Sequence, residues 1–387
     1  MSVVSVQIGQ YGNQLGSLFL QNHFCNENTE NSIYFRKTKA GKWVSRGILL
    51  DTEPKPIETA VKVARKTGFN YPAIVRRFGG SSNNWALGYN CDAEFLHDTI
   101  DVLRKQCEKC NSIESLLFFA SLAGGTGSGL GSHLVEEICD IWTCPIVVQS
   151  ILPFASGEIA TQSLNTILTF NSLFECADAV ILADNGLASD LARRIHRVEL
   201  PTYSDLNTVI CSGINRSLAL RRSTSSLIQC TTHAHKFFHE FHVPHLAQKA
   251  LQFDSSTWNG LSSQVERMVV SGTKNPFVIP RNYDQVSVFG NFCVGYGQGS
   301  ENIGETLKGI HNTRSIMSEY SWGTEKSISC CSSSSSTLIP LKRQLDVAES
   351  MFLNSAYLHH YYSHGLCEEI FNSAFCNIEY LLGLYDL

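Results

Sequence analysis

The 387-residue chain has 43% hydrophobic and 17% charged residues, which excludes a disordered chain and, at this length, a single ordinary core. A formal charge of −5 and a pI near 6.2 give no general attraction for nucleic acid, and the longest apolar run, residues 116–123, is too short to cross a membrane. Fourteen cysteines, with no basic and apolar leader in residues 1–14, predict reduced thiols in a soluble protein of the cytoplasm rather than a disulfide framework.

The first two hundred residues alternate short aliphatic runs with helical patterns. Residues 3–8 read as a strand, followed by glycines and a helix over 13–24. Residues 47–51 form a second strand, and 60–67 have helical character. A strand over 116–122 leads through a glycine cluster into a helix over about 130–142. Strands follow at 145–152 and 179–183, with a helix over 162–175 between them. Such alternation predicts an α/β fold, a Rossmann-like domain whose parallel sheet is covered on both faces, with ligand bound at the carboxyl ends of the strands.

A helix over 203–218 closes this domain. The stretch 224–339 is mixed α/β, with a strand over 286–294. Residues 329–337 (SCCSSSSST) have low complexity and read as a flexible surface loop. Two amphipathic helices, 346–362 and 368–384, form a terminal hairpin turning near Gly365. The expected division is a first domain over 1–205, a connecting helix and intermediate domain over 206–340, and the helical hairpin over 341–387.

The sharpest motif is Ala123-Gly124-Gly125-Thr126-Gly127-Ser128-Gly129, set between a strand and a helix. Glycines let several backbone N–H groups converge on one anion, and the helix start adds its positive end. The Thr126 and Ser128 hydroxyls are further donors. By itself such a run also makes ordinary turns. It lacks the Gly-Lys-Ser/Thr ending of a Walker loop and does not open the first βα unit, as a dinucleotide fingerprint would.

Three other segments occur with it in order. They are Gly9-Gln10-Tyr11-Gly12-Asn13-Gln14, Leu50-Asp51-Thr52-Glu53-Pro54 and Ser82-Asn83-Asn84-Trp85-Ala86 with Gly88-Tyr89. With Ala183-Asp184-Asn185 and Pro201-Thr202-Tyr203-Ser204-Asp205-Leu206-Asn207, they resemble the nucleotide loops of the tubulin superfamily, most like the delta branch with zeta next. The resemblance implies GTP or GDP bound with Mg²⁺. Gln10, Tyr11 (where most members have cysteine), Asn83, Gly124, Gly125, Thr126 and Gly127 would surround the phosphates. Asp51 and Glu53 would approach Mg²⁺ through water, their other reading being exposed acids before Pro54. Asn185 and Asn207 would read guanine and Tyr203 would stack on the base, the plainer reading of each asparagine being a cap or turn. Tyr203 and Asn207 fall on one helical face.

The chain also departs from the family. Thr161-Gln162-Ser163-Leu164-Asn165 stands where conventional tubulins have Val-Glu-Pro-Tyr-Asn, so Gln162 replaces the carboxylate that meets the ribose, and Glu158 is the nearest substitute. Anchoring on Val243-Pro244 places Phe237 where alpha-type tubulins carry an acid that polarises water on a neighbour's nucleotide, with Glu240 one turn on. His233, His235, His239, His242 and His245 cluster here; zinc binding through His235 and His239 competes with the plainer reading of polar surface histidines. Cys107 and Cys110 read as structural or incidental thiols, and no acidic run ends the sequence. The resemblance therefore implies a structural tubulin of centrioles, basal bodies and the microtubule cytoskeleton, active in cilium biogenesis, with weak or no GTP turnover. Its partners would be other tubulins or centriolar and basal-body proteins. The alternative is a conventional polymerising tubulin GTPase.

Overall fold

A computed structural model describes residues 1–26, 32–154, 157, 159–195, 197–218, 220–244, 257–271, 286–300, 303–319 and 326–387. The chain divides into two compact units, one of residues 1–180 with 340–383 and one of residues 181–339 with 384–387. No helix among the described residues is long and apolar enough to cross a membrane.

The first unit is built on β1 (Ser2–Ile8), a small ribbon of β2 (Phe35–Lys37) and β3 (Trp43–Ser45), then β4 (Gly47–Asp51), β5 (Ala73–Arg76), β6 (Ile113–Ser121) and β7 (Ile146–Leu152). Five of these form a parallel sheet in the order β7-β6-β1-β4-β5. Every residue of β1, β4 and β7 is buried, as expected for strands covered on both faces. β1 pairs with β4 on one side and β6 on the other, Val6 lying beside both Ile48 and Phe118. The chain reverses its winding there, and loops gather at the carboxyl ends of the strands.

Helices α1 (Gly9–Asn26), α2 (Pro54–Thr67), α3 (Trp85–Tyr89), α4 (Ala93–Cys107), α5 (Gly131–Ile141) and α6 (Gln162–Cys176) complete most of this unit. α2 starts earlier than the sequence suggests, because Pro54 suits the first helical turn. It stops at Gly68, whose φ of +111° is left-handed and whose N–H bonds Ala64 O at 3.0 Å. The expected terminal helix over 346–362 is two helices, Ile339–Leu353 and Leu358–Tyr362, broken by left-handed Ser355 and Tyr357. Glu368–Leu384 is continuous, as expected.

The second unit takes most of β8 (Ala179–Asp184), then α7 (Asn185–Ile195), α8 (Tyr203–Leu218), α9 (Ser223–Ile228) and β9 (Phe237–Val243). Helix Trp258–Ser271, β10 (Val288–Tyr296), β11 (Thr313–Glu319) and β12 (Ser327–Ser334) follow. Its strands run in the order β11-β10-β12-β9-β8, with β12 antiparallel to β9 and β10. Leu261, Val265 and Val269 of the helix pack with Phe241, Ile328 and Cys330 of the sheet.

The serine-rich run corrects an expectation. It is not a surface loop but the central strand β12, all eight residues buried, continuing into a 3₁₀ turn over Ser335–Leu338. Strands on both sides pair with its backbone, and two of its hydroxyls find internal partners: Ser333 Oγ lies 3.1 Å from Tyr385 Oη, and Ser329 Oγ donates to Glu240 at 3.1 Å.

Candidate functional site

In the first unit, Gly9-Gln10-Tyr11-Gly12 is the first turn of α1 rather than a loop before it. Gly12 permits this, because a side chain there would overlap the carbonyl of Phe119 on β6. Gly9 has a φ of +71°, and a Cβ on it would come within 2.9 Å of Gly127 N. The first turn of α1 and the glycine loop therefore meet backbone to backbone. Gln10 is exposed at this end, and Tyr11 Oη donates to Gln149 Oε1 at 3.0 Å. Asn13, fully buried, donates to Gly9 O, Leu50 O and Asp51 Oδ2 at 2.9–3.2 Å, joining the start of α1 to the end of β4.

The glycine loop leaves β6 and enters α5 through a π-helical turn over Thr126–Leu130. Such turns are uncommon and concentrate at functional sites. Glycine is required at two contacts. A Cβ on Gly125 would lie 2.6 Å from Ser81 O, and one on Gly127 would lie 2.9 Å from Ser121 N. Three hydroxyls border the loop, with Thr126 Oγ1 at 2.7 Å from Thr52 Oγ1 and 3.1 Å from Ser81 Oγ. Ser128 is not among the available donors, since its buried hydroxyl bonds back to Gly124 O.

The loop before α3 passes through positive φ at Gly79, Gly80, Ser82 and Asn83. It is held from beneath by Asn165 of α6. Asn165 Nδ2 donates to Asn83 O and to Ala123 O, each at 2.8 Å. Its Oδ1 accepts from Trp85 N at 3.0 Å and Tyr361 Oη at 2.6 Å. Asn84 caps α3 through Ala86 N and donates to His360 O at 2.8 Å. Asp51 is buried, and desolvation pushes its carboxyl up to about 6, against the lowering pull of the Glu53 and Thr52 N–H groups and Asn13. Glu53 is exposed. Thr52, between these two acids, meets Thr126 and so ties the end of β4 to the glycine loop.

The cradle thus combines glycine backbone, two helix starts and hydroxyl donors, chemistry suited to an anion such as a phosphate. Sequence reasoning missed Thr52, Ser81, Asn165 and Tyr361. The first lies inside a quoted motif and Asn165 inside the segment compared with Val-Glu-Pro-Tyr-Asn; Ser81 immediately precedes another motif, while Tyr361 carried no signal.

In the second unit, Asn185 opens α7, half-buried, after Asp184 accepts from Leu187 N at 3.0 Å. Thr202 and Asp205 cap α8 through bonds of 2.8 Å and 2.6 Å to the Asp205 carboxylate. Tyr203 is 46% exposed and Asn207 is buried one turn later, so the expected shared helical face exists. Gln162 turns its amide to Phe154 O at 2.9 Å, while Glu158 lies outside the described residues.

The histidine segment requires two corrections. Residues 237–243 form strand β9, not a loop or helix, with Phe237 fully buried and its N–H donated to Tyr385 Oη at 3.1 Å. Phe237 therefore cannot face a neighbour's nucleotide, and the anchor on Val243-Pro244 marks the end of a strand. His239 is not a surface residue: its ring nitrogens meet Leu182 O and Thr337 O at 3.0 and 2.9 Å. His235 stacks on Phe289 at 3.8 Å, and His245 lies outside the described residues. Among the described residues no three His, Cys, Asp or Glu side chains converge as a metal site.

Comparison with known proteins agrees with this architecture. Residues 2–192 match the family model "Tubulin/FtsZ family, GTPase domain". The chain is 26% identical to the tubulin delta chain of Homo sapiens over an alignment of 465 positions, covering all of this chain and 99% of the relative. It is likewise 26% identical to the delta chain of Mus musculus, over all of this chain and 99% of that one. A tubulin beta chain of Saccharomyces cerevisiae is 26% identical over 99% of this chain and 92% of its own length. With a parallel sheet, a glycine-lined cradle at the carboxyl ends of its strands and this similarity, residues 2–192 form a GTPase domain of the tubulin superfamily.

Proposed function

We propose that the chain binds GTP or GDP with Mg²⁺ and serves as a delta-type structural tubulin of centrioles and basal bodies. The observation that carries the nucleotide reading is the backbone contact between Gly9 and Gly127, with the Thr52, Ser81 and Thr126 hydroxyls beside it. Gln10, Tyr11, Asn83, Gly124, Gly125, Thr126 and Gly127 hold the phosphates. Asp51 and Glu53 take Mg²⁺ through water; the ion supplies charge neutralisation where no lysine does. Asn185 and Asn207 read the guanine edge and Tyr203 covers the base.

Turnover is weak in this reading. The sequence has no Asp or Glu between Asp205 and Glu240, and Glu240 is half-buried in the second unit. That stretch offers a neighbour no carboxylate to orient water. Other tubulins and centriolar or basal-body proteins are the partners, at the cytoplasmic cytoskeleton and in building cilia. The decisive test is to denature the purified protein and identify the nucleotide released. Guanine nucleotide is expected; adenine nucleotide, or none, overturns the assignment. GTP turnover rising steeply with protein concentration would favour a conventional polymerising tubulin.

A further inference from the structure

The second unit holds a cavity of about 70 Å³ bordered by β8, α7, α8 and β9. Its walls are mostly apolar, with Leu187, Leu191, Val209, Ile210 and Met268 among them. None of Asn185, Tyr203 and Asn207 lines it, so it is separate from the residues assigned to the base. One charge-bearing group stands out in this lining: Glu240, at the middle of β9.

The two carboxyl oxygens of Glu240 have different surroundings. Oε1 accepts from Ser329 Oγ at 3.1 Å and Ser217 Oγ at 3.5 Å. Oε2 stands over Gly213, where a methyl group would overlap it. Glycine inside a helix costs about 1 kcal/mol relative to alanine, and in α8 it leaves the space this oxygen occupies. Arg216 favours the ionised form through space, and burial outweighs it, pushing the carboxyl up to about 7. His242 and Asp184 also border the cavity, His239 is committed to two carbonyls, and the Cys331 thiol lies on the adjoining strand.

A carboxylate in such a place is costly unless protonated or met by a cation. An apolar chamber with a few such polar groups has the composition of a small-ligand site. At roughly 15 Å³ per water-sized centre, the volume takes about five heavy atoms. We propose that this cavity binds a small aliphatic amine, its ammonium meeting Glu240 Oε2 and its body of about four carbons lying against Leu187, Val209 and Met268.

The test uses the full chain at pH 8 with butylammonium, 1-butanol and butyrate as probes, followed by calorimetry or ligand-observed NMR. Butylammonium should bind saturably and at least tenfold more tightly than either control. Glu240→Gln should reduce its affinity to that of butanol. Equal binding of all three probes, no saturable binding of butylammonium, or full affinity in a folded Glu240→Gln protein each overturns the proposal. Should that variant fail to fold, Val209→Phe fills the chamber and leaves the carboxyl in place. Loss of butylammonium binding there supports the site, and unchanged binding overturns it.

Discussion

Truncating Asn165 to alanine should both destabilise the first unit and loosen its hold on nucleotide. Four hydrogen bonds converge on that amide, two given to Asn83 O and Ala123 O and two accepted from Trp85 N and Tyr361 Oη. Asn165 is fully buried, so water cannot readily replace them. At about 1 kcal/mol net for each, Asn165→Ala should cost about 4 kcal/mol, a large share of the 5–15 kcal/mol typical of a domain. Tyr361→Phe removes one of the four and should cost about 1 kcal/mol. Urea unfolding followed by tryptophan fluorescence suits the measurement, because Trp85 is one of the bonded partners. Nucleotide release from the native protein should also quicken, since the Asn83 loop and the glycine loop lose their shared support. A loss below 1 kcal/mol for Asn165→Ala, or an equal loss for Tyr361→Phe, would refute the view of Asn165 as the junction of both loops.

Gly127→Val places a branched side chain against Ser121 and the Ile8 carbonyl, and should abolish nucleotide retention; undiminished affinity in a folded variant would remove this loop from the site. Asn207→Ala should narrow a preference for GTP over ATP by tenfold or more in competition binding, and equal competition by ATP in the wild type would sink the guanine assignment. Glu240 provides a pH test. Its folded value, about 7, lies above the ordinary 4.5, so its contribution is fully favourable below about 4.5 and is lost as pH rises to about 7. Glu240→Gln escapes that loss and should be the more stable protein at pH 8 by up to about 3 kcal/mol, with a small gap at pH 5. A gap in urea stability that is constant across this range would contradict a titrating Glu240.

The parallel sheet was legible because strands buried on both faces are written as aliphatic runs, as in Val3-Val4-Ser5-Val6 and Leu116-Leu117-Phe118-Phe119. The glycine loop was legible because few residues tolerate such close backbone approach. Strand β12 was not: Ser327-Ile328-Ser329-Cys330-Cys331 has little local preference for a strand and gains it from β9 and β10 on either side. The same tertiary pairing misled the reading of Phe237 and of His239, which is spaced from His235 as on a helix but is held extended by its neighbours. Asn165 and Tyr361 meet across 196 positions, a separation that no local pattern reports.

The composition of the first unit has a consequence for biosynthesis. It joins residues 1–180 to residues 340–383, and the later segment supplies Tyr361 and the carbonyl of His360 to the loops of the earlier one. A ribosome must therefore make the whole intervening unit, roughly 160 residues, before the earlier segment can be finished. At about 5–20 residues per second that interval is about 8–30 s. Throughout it Asn165 and the Asn84 loop wait without Tyr361 and the His360 carbonyl, and a chaperone that shields them would raise the yield of native protein more than one acting after release.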